Sequence, residues 1–141
     1  MAGCEDPVPP PPRNFTVVSL APSKVKLNVL LQDEYNKAKQ LGRKPFVEMG
    51  ASWCVPCQKL HARMDDPRLI NAFSGTYIIQ VDVDFWSRGL LAAGFNPEGI
   101  PAIYEVNPEG YSTGRGLIGG DWNSDDPVSD AGKFAEYFAG K

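Results

Sequence analysis

Cys54 and Cys57 have two residues between them in the run Phe46-Val47-Glu48-Met49-Gly50-Ala51-Ser52-Trp53-Cys54-Val55-Pro56-Cys57. Two thiols at this spacing can exchange electrons as a dithiol and a disulfide, contribute half of a metal site, or form an inert crosslink. Their surroundings choose among these. Residues 45–49 read as a short buried strand, and residues 54–65 as a helix with Leu60 and Met64 on one face. A thiol at a helix N-terminus lies in the partial positive charge of unpaired backbone N–H groups, which favours the thiolate. The thiolate is the nucleophile of disulfide exchange, and a second thiol one turn later can attack back and resolve the mixed disulfide. Pro56 fits because the first turn of a helix needs no proline N–H. A zinc site would require a second pair of ligands, and only His61 and Cys4 remain, Cys4 within a proline-rich segment. A purely structural disulfide across so short a loop stabilises little. The chemistry these residues favour is thiol–disulfide exchange.

The elements that must position this pair follow from the rest of the chain. At 141 residues it is one domain. Fourteen Lys and Arg against seventeen Asp and Glu give a net charge of −3, with no basic block, which excludes nucleic-acid binding through phosphate neutralisation. No apolar run reaches the ~18–20 residues of a bilayer-spanning helix. Three cysteines are too few for a disulfide scaffold, and the odd count leaves one without an internal partner.

Residues 1–13, with Pro7 and Pro9 to Pro12, read as a stiff polyproline tether, and residues 14–141 as the folded domain. A first strand is expected over residues 15–20. Leu27, Leu30, Leu31, Tyr35, Ala38 and Leu41 then recur at helical steps, closed by Gly42. After the motif helix, Asp66-Pro67 reads as an N-cap and first helical position, residues 77–83 as a strand and residues 85–93 as a helix. Residues 100–106 and 112–118 flank Asn107-Pro108-Glu109-Gly110 as a hairpin. A last helix carries Phe134, Tyr137 and Phe138. Strands alternating with helices, then a hairpin, make an α/β domain whose central mixed sheet is covered by helices on both faces. Residues 121–130 read as an acidic, solvated loop. They are not a calcium loop, because Asp126 stands where glycine is required and Gly132 where a bidentate glutamate is required.

Trp53-Cys54-Val55-Pro56-Cys57 is similar to the active site of the thioredoxin superfamily. Glu48, six residues before the first cysteine, matches the family's buried acid, and Gly99-Ile100-Pro101-Ala102 matches its Ile-Pro segment. The resemblance covers residues 15–140 and implies the thioredoxin fold. It further implies a cis Pro101 facing the disulfide and a substrate groove lined by Trp53, Pro56, Ile100 and Pro101. The backbone of Ile100 would pair with an extended client in strand fashion. Burial disfavours a charged carboxylate, so a buried Glu48 would accept the proton leaving Cys57. Trp53 would cover the site rather than fill the core.

The chain departs from the family where a lysine often stands near the buried acid. Gln80 occupies that place, so Glu48 is expected to lack a charged partner. His61 reads as an ordinary half-exposed histidine. The Val-Pro dipeptide resembles membrane-tethered bacterial thioredoxins of the periplasm. The implied activity is a protein-disulfide oxidoreductase that needs no cofactor and no metal. It would act as a monomer on a client protein's disulfide or dithiol and be recharged by an upstream membrane reductant. Its rivals are a disulfide oxidase or isomerase of the same fold, a metallochaperone holding copper between Cys54 and Cys57 with His61 as an optional third ligand, and a redox-inactive interaction module. Finally, Ala2-Gly3-Cys4 is similar to the end of a bacterial lipoprotein signal, which leads to an expected lipid anchor on Cys4 at a periplasmic membrane. At ~3.1 Å per residue, the proline tether would hold the domain roughly 25–30 Å from the headgroups.

Overall fold

The computed structural model describes residues 13–140. Cys4 and the tether expected over residues 1–13 lie outside the described residues, apart from Arg13. In chain order the strands are β1 (Thr16–Ser19), β2 (Lys44–Gly50), β3 (Thr76–Asp82), β4 (Ala102–Val106) and β5 (Ser112–Ile118). The helices are α1 (Leu27–Gln40), α2 (Val55–Ala62), α3 (Pro67–Ala72), α4 (Ser87–Ala92) and α5 (Ala131–Phe138). Strand order in the sheet is β1-β3-β2-β4-β5. β1 and β2 both run parallel to β3, while β4 is antiparallel to β2 and β5 to β4. This is the mixed sheet expected from the order of elements.

Alternation along β2 divides the core. Phe46 belongs to a layer with Leu60 and Met64, residues of α3 including Leu69, and Phe134, Tyr137 and Phe138 of α5. Val47 and Met49 belong to the opposite layer, with Leu27 and Leu31 of α1 and Leu90 of α4. The same period of two sends Ile78 to the first layer and Ile79 and Val81 to the second. Glu48 follows Phe46 by two residues and so faces the layer roofed by α2.

Local signals terminate the elements where their chemistry demands. Gly42, at φ 68°, ends α1, with its N–H donating to Lys39 O and that of Arg43 to Ala38 O, the paired bonds of a Schellman cap. Asp66 caps α3 by accepting from the Arg68 N–H at 2.9 Å, with Pro67 at the first helical position. In the β4–β5 turn, Gly110 has φ 87°, and a Cβ there would lie 2.0 Å from the carbonyl oxygen of Asn28 in α1. Only glycine fits.

Two expectations change. β4 begins at Ala102, which leaves Ile100 and Pro101 in the segment before it. The acidic segment is also not a solvated loop throughout. Trp122 and Val128 are buried in the layer beneath α5, with the Trp122 ring 4.9 Å from that of Phe134. The carboxylate of Asp130 accepts from the Asn123 N–H at 2.6 Å, closing the segment on itself. Two apolar side chains outweigh the segment's charge.

Candidate active site

β2 delivers the chain to the sheet's C-terminal edge, where Ala51, Ser52 and Trp53 turn it into α2. Cys54 is the N-cap of that helix, in extended conformation, and its sulfur accepts from the Cys57 N–H at 3.2 Å. The first sulfur therefore sits where the orphaned N–H groups of the helix point, the placement that stabilises a thiolate. Cys54 and Cys57 are joined as a disulfide, with Cα atoms 5.2 Å apart. Both residues are buried. Trp53 is 63% exposed, and its indole N–H donates to Asp84 Oδ2 at 2.7 Å. Asp84 is itself held by the turn after β3, where Asp82 Oδ1 accepts from the Asp84 and Phe85 N–H groups. The ring thus stands over the surface and not in the core. The Ile100–Pro101 peptide is cis. Because Ala102 pairs with Met49, Pro101 lies beside the end of β2 that leads into the motif.

Beneath α2 the sheet presents a polar row. Ser19, Gln80 and Glu48 are register partners across β1, β3 and β2. The Ser19 hydroxyl donates to Gln80 Oε1 at 2.8 Å, and Gln80 Nε2 lies 3.3 Å from Glu48 Oε1. Glu48 is buried, at 3% exposure. His61 descends from α2 and places Nε2 2.5 Å from the same Oε1. Both of these bonds fall on Oε1, so among the described residues Oε2 takes no hydrogen bond. The bond to Glu48 raises the pKa of His61 above 6.5; partial burial opposes the shift, and the charge of the carboxylate adds to it.

Glu48 therefore does have a titratable partner, contrary to expectation, and His61, half-exposed as expected, is that partner and not a bystander. The signal was the four-residue step from Cys57 to His61, one helical turn, which puts both on the α2 face above Glu48. Counting from Cys54 hides it.

Glu48, Gly50, Cys57, His61, Gln80 and Asp82 line a cavity of about 360 Å³ that is open to solvent. Glu48, His61 and Gln80 also line a second cavity of about 130 Å³, together with Arg13. A methyl group at Gly50 would come within 3.3 Å of Cys57 Sγ, so the bare backbone keeps the space beside that sulfur open. Among the described residues, no group of three or more His, Cys, Asp or Glu side chains converges on a metal-sized site. His61 turns to Glu48 and so does not join Cys54 and Cys57 as a third ligand. No described helix is long and apolar enough to cross a membrane.

Several solved structures share this architecture. A disulphide isomerase from Xylella fastidiosa Temecula1 aligns at TM-score 0.51 and 17% identity, covering 84% of this chain and 92% of that one. The reduced thioredoxin pre-protein of Schistosoma mansoni aligns at TM-score 0.51 and 15% identity, covering 87% and 98%. The thioredoxin of Fasciola hepatica aligns at TM-score 0.50 and 18% identity, covering 84% and 98%. At these identities the likeness speaks for the fold alone, and the fold is that of thioredoxin. No protein-family model matches the chain, and no curated protein matches it in sequence.

Proposed function

We propose that this thioredoxin-fold chain is a thiol–disulfide oxidoreductase acting as a reductase of protein disulfides. The observation that carries the reading is a Cys54–Cys57 pair at the start of α2, with a solvent-open cavity leading from Cys57 to a buried carboxylate. In the reduced protein the Cys54 thiolate attacks one sulfur of a client disulfide. A Cys54–client bond forms, the client's S–S bond breaks, and the released client thiolate takes a proton from solvent. Cys57 then gives its proton to Glu48 as its sulfur attacks Cys54 Sγ. The Cys54–Cys57 bond forms as the Cys54–client bond breaks, the expelled client thiolate takes a proton from solvent, and the client leaves with both electrons as a dithiol. An external dithiol donor returns the protein to its reduced form.

Trp53, Pro56, Ile100 and Pro101 form the client-facing surface in this reading, with the Ile100 backbone offering strand-like hydrogen bonds. The Val-Pro dipeptide, the Ala2-Gly3-Cys4 tripeptide and the proline run support a place in the bacterial cell envelope. There the protein would be a monomer, lipid-anchored at Cys4 and served by a membrane reductant.

The test is a trap. Cys57→Ser should accumulate mixed disulfides with client proteins through Cys54, and Cys54→Ser should accumulate none. Preferential alkylation of Cys57 in the reduced protein at mildly acidic pH would reverse these roles. A reduction potential near −270 mV supports a reductase, whereas one near −120 mV would make the chain an oxidant.

A further inference from the structure

Building on the reading of Cys54–Cys57 as an exchange site, we infer that His61 is a positioning residue for that exchange. Its imidazolium holds Glu48 as a carboxylate at the cavity behind Cys57, and the resolving step slows when that positive charge is removed. The geometry argues this from three sides. Glu48 is almost fully buried, and a buried carboxylate needs a compensating charge or a full set of donors. Gln80 supplies only a neutral amide, turned toward Glu48 by the Ser19 hydroxyl on its other end. His61, when protonated, supplies the charge, 2.5 Å away.

Two N–H groups cannot bond to each other. With Nε2 protonated, the 3.2 Å approach of Gln80 Nε2 to His61 Nε2 is therefore no hydrogen bond, and both donors converge on Glu48 Oε1. Oε2 is left as the oxygen that receives the proton of Cys57. The His61 proton itself is not transferred; it stays on Nε2 throughout.

The other charged groups around these cavities do not duplicate this role. Arg13, ahead of β1, is paired with Asp65 in the segment after α2. Asp82, at the end of β3, is negative and is occupied by the backbone of its own turn. On α2 itself, Cys57 and Gln58 line the larger cavity, and neither carries a positive charge.

His61→Gln keeps a side chain of similar reach that can donate, but removes the charge. Burial then favours the protonated, non-accepting form of the carboxyl. His61→Gln should therefore lose most at the acid end of the range, and only modestly, because the His61 side chain is 42% exposed. There the loss stays under ~10-fold, and the two proteins converge in alkali. His61→Lys, which restores a cation, should recover much of the difference.

The experiment is single-turnover reduction of insulin by the reduced full chain from pH 5.5 to 9, for wild type and both variants. Alongside it, an NMR titration follows the imidazole of His61, the chain's one histidine. That titration should lie above 6.5 in the wild type and fall back toward 6.5 in Glu48→Gln. An active wild type whose profile is unmoved in His61→Gln, or is lowered equally at every pH, overturns the inference and leaves the exchange reading standing. A wild type that reduces no insulin at any pH overturns the exchange reading and this inference with it.

Discussion

Replacing Glu48 with alanine separates what the carboxylate does for chemistry from what it does for the fold. Its side chain is 4% exposed and lies between cavities of about 360 and 130 Å³. Truncation therefore joins two existing spaces that are lined by His61 and Gln80, and water can enter to satisfy the donors left behind. A dry cavity of this kind in an apolar core would cost about 2–5 kcal/mol. A wet, polar one loses only the hydrogen bonds Glu48 makes and should cost about 1–3 kcal/mol. The kinetic loss is separate. A positioned general base contributes about 10²–10⁴-fold, and because the cavity admits water that can take the proton instead, the low end is expected, near 10². The assay quenches reduced protein mixed with a disulfide-bonded client, alkylates free thiols and follows the mixed disulfide with time. Its decay should slow while its formation by Cys54 is little changed. Glu48→Gln, which keeps the volume, guards against a folding defect. Unchanged decay across pH 6–8 in both variants would refute the role of Glu48 as proton acceptor.

Two further outcomes concern stability. Gly110→Ala should lower unfolding free energy by about 2–5 kcal/mol in urea titrations, combining a left-handed backbone with a methyl driven into the Asn28 carbonyl. A loss under ~1 kcal/mol would contradict the contact between the β4–β5 turn and α1. The His61–Glu48 pair should also make stability depend on pH. His61 titrates higher when folded than when unfolded, so its contribution is complete below about 6.5 and fades as pH rises through the raised folded value. With the imidazole 42% exposed, solvent screening keeps this to the order of 0.5 kcal/mol, seen as a gap between wild type and His61→Gln at pH 5.5 that closes at pH 8.5.

The parts of the molecule legible in the sequence are those whose signals are local. Gly42, Asp66-Pro67 and the Asn107–Gly110 turn announce their elements because each needs a backbone shape that few residues supply. The motif and its strand–helix junction were legible for the same reason, and the apolar flanks of Glu48 foretold its burial. What escaped depends on packing between distant elements. Trp122 lies in an acidic stretch, and only the aromatic surface of α5 makes its burial favourable. The contact of His61 with Glu48 spans β2 and α2, and becomes visible only when helical phase is counted from the second cysteine. Gln80 was placed correctly beside the acid, yet nothing local shows that Ser19 fixes which end of its amide faces Glu48.

The position of β2 within the sheet has a consequence for traffic at the disulfide. β3 and β1 lie on one flank of β2, and β4, entered through Pro101, lies on the other. The opening that reaches Glu48 is bordered by Ser19, Gln80 and Asp82 of the first flank, by Gly50, Ala51 and Ser52 at the end of β2, and by α2, with no residue of β4 among its walls. A polypeptide laid along the Pro101 flank leaves that doorway unstoppered. If clients dock against Pro101 as proposed, protons and solvent can come and go while a bulky client is still attached, and the two kinds of passenger do not queue at the same gate.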